Sequence, residues 1–154
     1  MLPISFRPAL VALVTLSLVA AFGPASQAKP SPLVVKLDAA KTARVKLSDT
    51  FRAAKLTPGP VPAALKSVAS NANDLALRAA TLRTEAASVG AKDDVLLKIG
   101  DIKDECTRMA QQITGLLKNQ QITYEEIQAM TGMLTRIEDQ FAAVLGLVEP
   151  VITR

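Results

Sequence analysis

The chain has 154 residues, with 18 lysines and arginines, 14 aspartates and glutamates, one cysteine and no histidine. The absence of histidine excludes a Ser-His-Asp nucleophile, a histidine-ligated zinc and a histidine-ligated haem. A single cysteine excludes an internal disulfide and a thiolate zinc cage. We therefore expect a protein that is not an enzyme and carries no cofactor, folded as a single domain.

Residues 1–28 have the pattern of a secretory signal peptide. A short start with one positive charge, Arg7, precedes an apolar run of 14 residues, Ala9–Phe22. A helix-breaking Gly-Pro pair and small residues follow, and they predict cleavage after Ala28. The apolar run is shorter than the about 20 residues that span a bilayer. The sequence thus predicts an exported domain, 29–154, in a bacterial periplasm or a thylakoid lumen, peripheral to the membrane.

Prolines and glycines divide the predicted mature chain into four stretches. In each stretch, apolar residues recur at alternating spacings of three and four, which is typical of one face of an α-helix. The stretches are Ser31–Leu56, Pro60–Val89, Asp93–Lys118 and Thr123–Pro150. Because short connections make successive helices antiparallel, we predict an all-α, up-down-up-down four-helix bundle.

Residues at the ends of these stretches indicate where the helices begin and end. Ser31 followed by proline predicts an N-cap and a first helical residue. Gly90 predicts the end of the second helix. Thr123 and Glu126 have the spacing of a capping box, which predicts the start of the fourth helix.

The net positive charge of the predicted mature chain lies in the first stretch and its flanks. Residues 29–66 hold eight basic and two acidic residues, whereas 67–154 hold nine and twelve. Such a segment favours an acidic protein or an anionic membrane surface as partner; the alternative is a solvated helix face. The single tyrosine and the exported location argue against nucleic acid. The candidate contact residues, for a membrane-associated complex or an anionic membrane, are Lys29, Lys36, Lys41, Arg44, Lys46, Arg52 and Lys55.

Arg44 interrupts the apolar spacing of the first stretch. If buried, its guanidinium needs a partner, for which Asp49, Glu138 and Asp139 are candidates. It could instead mark a bundle end or a binding face. We favour an arginine whose stem packs on the bundle while its charged head reaches water.

Four sulfur-containing residues form a second candidate site: Cys106, Met109, Met130 and Met133. In an antiparallel hairpin of the third and fourth helices, Met109 lies level with Met133, and Met130 is one turn away. A thiolate and thioethers are soft ligands that suit Cu(I), so the alternative function is a periplasmic Cu(I) carrier. Cysteine and methionine are also ordinary core residues, and three of these four fall on the predicted apolar faces.

Residues Asn73–Glu85 read NDLALRAATLRTE. The run resembles the Asp-Leu-x-x-Arg-x-x-x-Leu-Arg-x-acidic sequence of PsbQ, the extrinsic lumenal subunit of photosystem II. The resemblance implies a cofactor-free four-helix bundle that docks on a membrane complex and stabilises its oxygen-evolving side. It also implies structural rather than reactive roles for Asp74, Leu75, Arg78, Leu82 and Arg83.

Overall fold

The structure, a computed structural model, describes residues 29–152. It contains helices α1 (Pro32–Ala53), α2 (Leu65–Ser88), α3 (Asp93–Asn119) and α4 (Tyr124–Ile152). Two strands of two residues each, β1 (Gly59–Pro60) and β2 (Gln121–Ile122), lie between them. The helices belong to one compact unit that begins at Ser31, and the prediction of an all-α protein is confirmed for this part of the chain. The predicted signal peptide, 1–28, lies outside the described residues.

The helix ends form as their residue types predict. The Val34 amide donates to Ser31 Oγ at 3.3 Å at the start of α1. Beyond the end of α2, Gly90 has a φ of 74°, the left-handed conformation that favours glycine. The Thr123 amide donates to Glu126 Oε2 at 2.7 Å, and the Glu126 amide donates to Thr123 Oγ1 at 3.2 Å. This reciprocal pair is the predicted capping box.

A single hydrophobic core takes side chains from all four helices. Its largest fully buried side chains are Phe141, Leu47, Leu65, Leu75, Ile99, Ile102, Met109, Ile113, Met130, Ile137, Val68 and Val144. Val89 continues the apolar spacing of the sequence but is exposed, because α2 already ends at Ser88. Within the described residues, no helix is both long enough and apolar enough to cross a membrane.

The second helix begins later than predicted. The sequence places its start at Pro60, whereas α2 begins at Leu65. The preceding residues instead form an antiparallel pair, with Gly59 opposite Ile122 and Pro60 opposite Gln121. Gly59 has a φ of 132°, which side chains rarely allow. This pair ties the connection between α1 and α2 to the connection between α3 and α4.

Side-chain hydrogen bonds link each pair of neighbouring helices. Asn71 of α2 donates to Thr50 of α1, and Arg83 of α2 donates to the Leu96 carbonyl of α3. On the other side of the bundle, Arg136 of α4 donates to Glu105 of α3, and Ser48 of α1 donates to Glu138 of α4. Each bond joins groups on different helices that helical spacing alone does not bring together. Together they fix which face of each helix meets its neighbour.

Candidate functional site

Some of the predicted basic residues contact other side chains of the bundle, and the others are exposed to solvent. Arg44 and Arg52 contact α4, and the Lys41 ammonium lies 3.9 Å from Asp38. Lys36, Lys46 and Lys55 are exposed and form no ion pair within the described residues. Lys29, ahead of α1, is also exposed. Arg52 is 64% exposed but paired with Glu138, so the positive charge of this segment that no ion pair compensates is carried by Lys36, Lys46 and Lys55.

Glu138 of α4 accepts hydrogen bonds from two side chains of α1, Ser48 and Arg52. The Ser48 hydroxyl donates to Glu138 Oε1 at 2.7 Å, and Arg52 Nη2 donates to the same oxygen at 2.9 Å. Ser48 and Arg52 share a helix face because they are four residues apart. Ser48 is buried, so the carboxylate satisfies a hydroxyl that has left water. Arg52 therefore belongs to the interface between α1 and α4.

Arg44 is half-buried, and its guanidinium lies over the ring of Phe141, 5.8 Å from the ring centroid. Its Nε is buried and has no hydrogen-bond partner among the described residues. Asp49, Glu138 and Asp139 do not pair with it there. The ring face supplies a cation–π attraction to this guanidinium, and none of the carboxylates considered for a buried Arg44 takes that place.

The four sulfur-containing residues all lie in the hydrophobic core. Burial, and secondarily the negative charge of Glu105, raises the pKa of the Cys106 thiol from 9.0 to about 12. The thiol is therefore protonated at neutral pH, and Cu(I) binding would have to displace that proton. No group of three or more cysteine, aspartate or glutamate residues gathers as metal ligands in the described part of the chain. The contacts of these residues are those of core packing, and the Cu(I) site stays a prediction.

Glu105 is a second half-buried carboxylate that the sequence did not single out as a helix contact. Its oxygens accept from Arg136 Nε at 3.1 Å and from Arg136 Nη2 at 3.3 Å. Arg108, three residues along α3, donates at 3.3 Å. The side chain is only 15% exposed. The Glu105–Arg108 spacing is visible in the sequence, whereas the partner on α4 is not.

The residues that carry the PsbQ resemblance have different surroundings along α2. Arg78 Nε lies 3.0 Å from Asp74 Oδ2, and Leu75 and Leu82 are buried. Arg83 Nε donates to the Leu96 carbonyl of α3 at 3.2 Å. Gly100 of α3 lies beside this arginine, and a Cβ there would make an ordinary contact with its Nε at 3.8 Å.

One surface feature was not anticipated from the sequence. A groove of about 410 Å³ between α1 and α2, the α1–α2 groove, is lined by Val35, Lys36, Ala39, Asp74, Leu77, Arg78 and Thr81. Leu77 is 69% exposed and Val35 is 49% exposed. The sequence does contain an indication of this groove: Val35 and Leu77 are apolar, but they fall outside the three- and four-residue spacing of the core positions.

The chain matches no model of a protein family, no curated protein and no solved structure with which it was compared.

Proposed function

We propose that this chain is an exported, non-enzymatic helical bundle that acts by surface contact, as an extrinsic accessory subunit of a membrane-associated complex. The observation that carries this proposal is the set of exposed lysines without an ion pair among the described residues: Lys36, Lys46 and Lys55. Because their charge is not compensated locally, it attracts an acidic partner and orients the encounter.

The proposal includes an up-down-up-down order of the helices. Thr50, near the end of α1, bonds to Asn71 near the start of α2. Arg83, near the end of α2, bonds to Leu96 near the start of α3. Both bonds favour antiparallel neighbours, as do the short connections at 89–92 and 120–123.

The proposed location rests on residues 1–28, whose charged, apolar and small-residue order favours export. The PsbQ resemblance of Asn73–Glu85 favours a partner such as the oxygen-evolving side of photosystem II.

The first experiment is co-sedimentation of the protein with membranes of its native host at low and at high salt. At 0.01 M salt, charges act over about 30 Å, whereas at 1 M they act over about 3 Å. We expect the protein to sediment with the membranes at low salt and to be released at high salt. Recovery in the supernatant already at low salt would show that it is not an extrinsic subunit.

The contact surface is tested by the triple variant Lys36→Glu, Lys46→Glu and Lys55→Glu, which we expect to abolish sedimentation at low salt. Arg52 is left unchanged because it bonds to Glu138, and its reversal would disturb the bundle.

The matched control is Lys92→Glu, Lys98→Glu and Lys118→Glu, which makes the same change in net charge at α3. It should still sediment. Equal loss in both variants would indicate an effect of overall charge and would contradict a contact through α1.

A further inference from the structure

The α1–α2 groove combines exposed apolar and basic side chains on one concave surface. Leu77 and Val35 face its opening from the two helices, with Lys36 and Arg78 beside them. Leu77 is the most exposed large apolar side chain of the described residues. Single exposed apolar residues are ordinary, whereas two that line the same groove form a surface able to receive an apolar side chain.

Lysines extend this surface along both helices. Lys46 follows Val35 by 11 residues, and Lys66 precedes Leu77 by 11 residues. Eleven residues are close to three helical turns, so each lysine shares the face of its apolar partner at a distance of about 16 Å. Both lysines are exposed and have no ion pair within the described residues. The hydrogen bond from Asn71 to Thr50 holds the C-terminal part of α1, which carries Lys46, against α2.

The charge of the two helices favours an acidic occupant. Helices α1 and α2 contain eight basic and four acidic residues, whereas α3 and α4 contain five and ten. Of the groove's own charges, Asp74 is paired with Arg78 at 3.0 Å in a partly exposed ion pair. Such a pair contributes little stability, so an incoming carboxylate can share the Arg78 guanidinium at small cost. Lys36 is available without breaking any ion pair.

We propose that the α1–α2 groove binds an acidic peptide segment of a protein partner. One apolar side chain of the segment packs between Val35 and Leu77, and its carboxylates lie opposite Lys36, Lys46 and Lys66. A segment of chain fits a concave groove between two helices, whereas a bilayer presents a flat surface. This inference rests on the proposed docking function and adds to it the α2 residues Leu77 and Lys66.

The test measures binding of the protein to host membranes at low salt, to the same membranes after trypsin treatment, and to protein-free vesicles containing anionic phospholipid. The decisive variant is Leu77→Glu, and its control is Leu97→Glu, since Leu97 of α3 is 64% exposed and lies outside the groove. We expect Leu77→Glu to weaken binding to intact membranes about tenfold, as for loss of an apolar anchor, and Leu97→Glu to leave it unchanged. Circular dichroism checks that both variants are helical.

A second pair of variants tests the lysines of the groove independently of Leu77. Lys66→Glu should weaken binding, whereas Lys92→Glu should not. A photo-crosslinking residue in place of Leu77 should then capture membrane-protein peptides that contain aspartate or glutamate.

The outcomes separate this inference from the proposed function. If the protein binds in a salt-dependent way but Leu77→Glu and Leu97→Glu bind alike, docking stands and the groove is not its site. If trypsin-treated membranes or lipid vesicles bind as well as intact membranes, the occupant is a lipid surface and the peptide proposal is wrong. It is also wrong if sedimentation equilibrium detects a dimer of this chain that Leu77→Glu dissociates. Absence of all membrane binding removes both proposals.

Discussion

The interfaces α2–α3 and α1–α4 are built in contrasting ways. Among neighbouring helices, α2 and α3 approach each other closely along the greatest length of backbone, and α1 and α4 along the least. The core positions of α2 include small side chains, which allow a short distance between helix axes. These buried alanines are Ala72, Ala76, Ala79 and Ala86.

Larger and polar side chains meet between α1 and α4. Arg44 covers the ring of Phe141, and Ser48 and Arg52 share one oxygen of Glu138. A close interface of small residues tolerates little added volume, whereas an interface of long side chains depends on the groups that fill it. The two interfaces should therefore respond to opposite kinds of substitution.

Truncation of Phe141 should have the largest effect on the α1–α4 side. The side chain is fully buried, so Phe141→Ala leaves a cavity and removes the ring beneath Arg44. We expect a loss of about 3–5 kcal/mol in the free energy of unfolding, measured by denaturant titration with circular dichroism. Phe141→Leu is the control and should lose much less. Similar losses in the two variants would mean that the ring volume does not support this interface.

Removal of Glu138 should have an intermediate effect. In Glu138→Ala the buried Ser48 hydroxyl and the Arg52 guanidinium both lose their acceptor. Hydrogen bonds to a charged group contribute about 1.5–3 kcal/mol, and we expect a loss in that range by the same titration. Asp139→Ala, at the exposed neighbouring position, should be nearly neutral. A neutral Glu138→Ala would show that water replaces the carboxylate at no cost.

Enlargement of Ala76 tests the α2–α3 side and should have the smallest effect of the three. Ala76 is buried and lies four residues before Ala80, which lines the surface between α2 and α3 with Leu96. We expect Ala76→Leu to cost about 1–3 kcal/mol of unfolding free energy through overpacking. The same change at Ala129, an exposed position of α4, should be tolerated. Stabilisation by Ala76→Leu would mean that space remains between these helices.

The helices were predictable because their signals are local. Apolar residues three and four apart mark one helix face, and Ser31, Gly90 and Thr123 act on residues within a few positions of themselves. The start of α2 was not predictable in this way. Pro60 is compatible with a first helical turn, but it pairs with Gln121, which is 61 positions away in the sequence.

The same distinction applies to the candidate sites. The sequence identifies lysines and arginines as one basic segment, and the structure assigns Arg52 to Glu138, 86 residues away, while Lys36 and Lys46 stay exposed. It identifies Cys106 as a residue of a core face, but the pKa of its thiol depends on how completely the other helices cover it.

By itself, the sequence determined the four helices, most of their ends and the faces that form the core, because these follow from the geometry of residues within one or two helical turns. Only the tertiary structure decided which charges are neutralised between helices, which apolar side chains remain outside, and how the two loops pair. Those features require atoms of residues far apart in the chain to come within hydrogen-bonding or packing distance, as Ser48 and Glu138 do at 2.7 Å. The α1–α2 groove arises in this way, because neither Val35 nor Leu77 marks a surface until the two helices lie side by side.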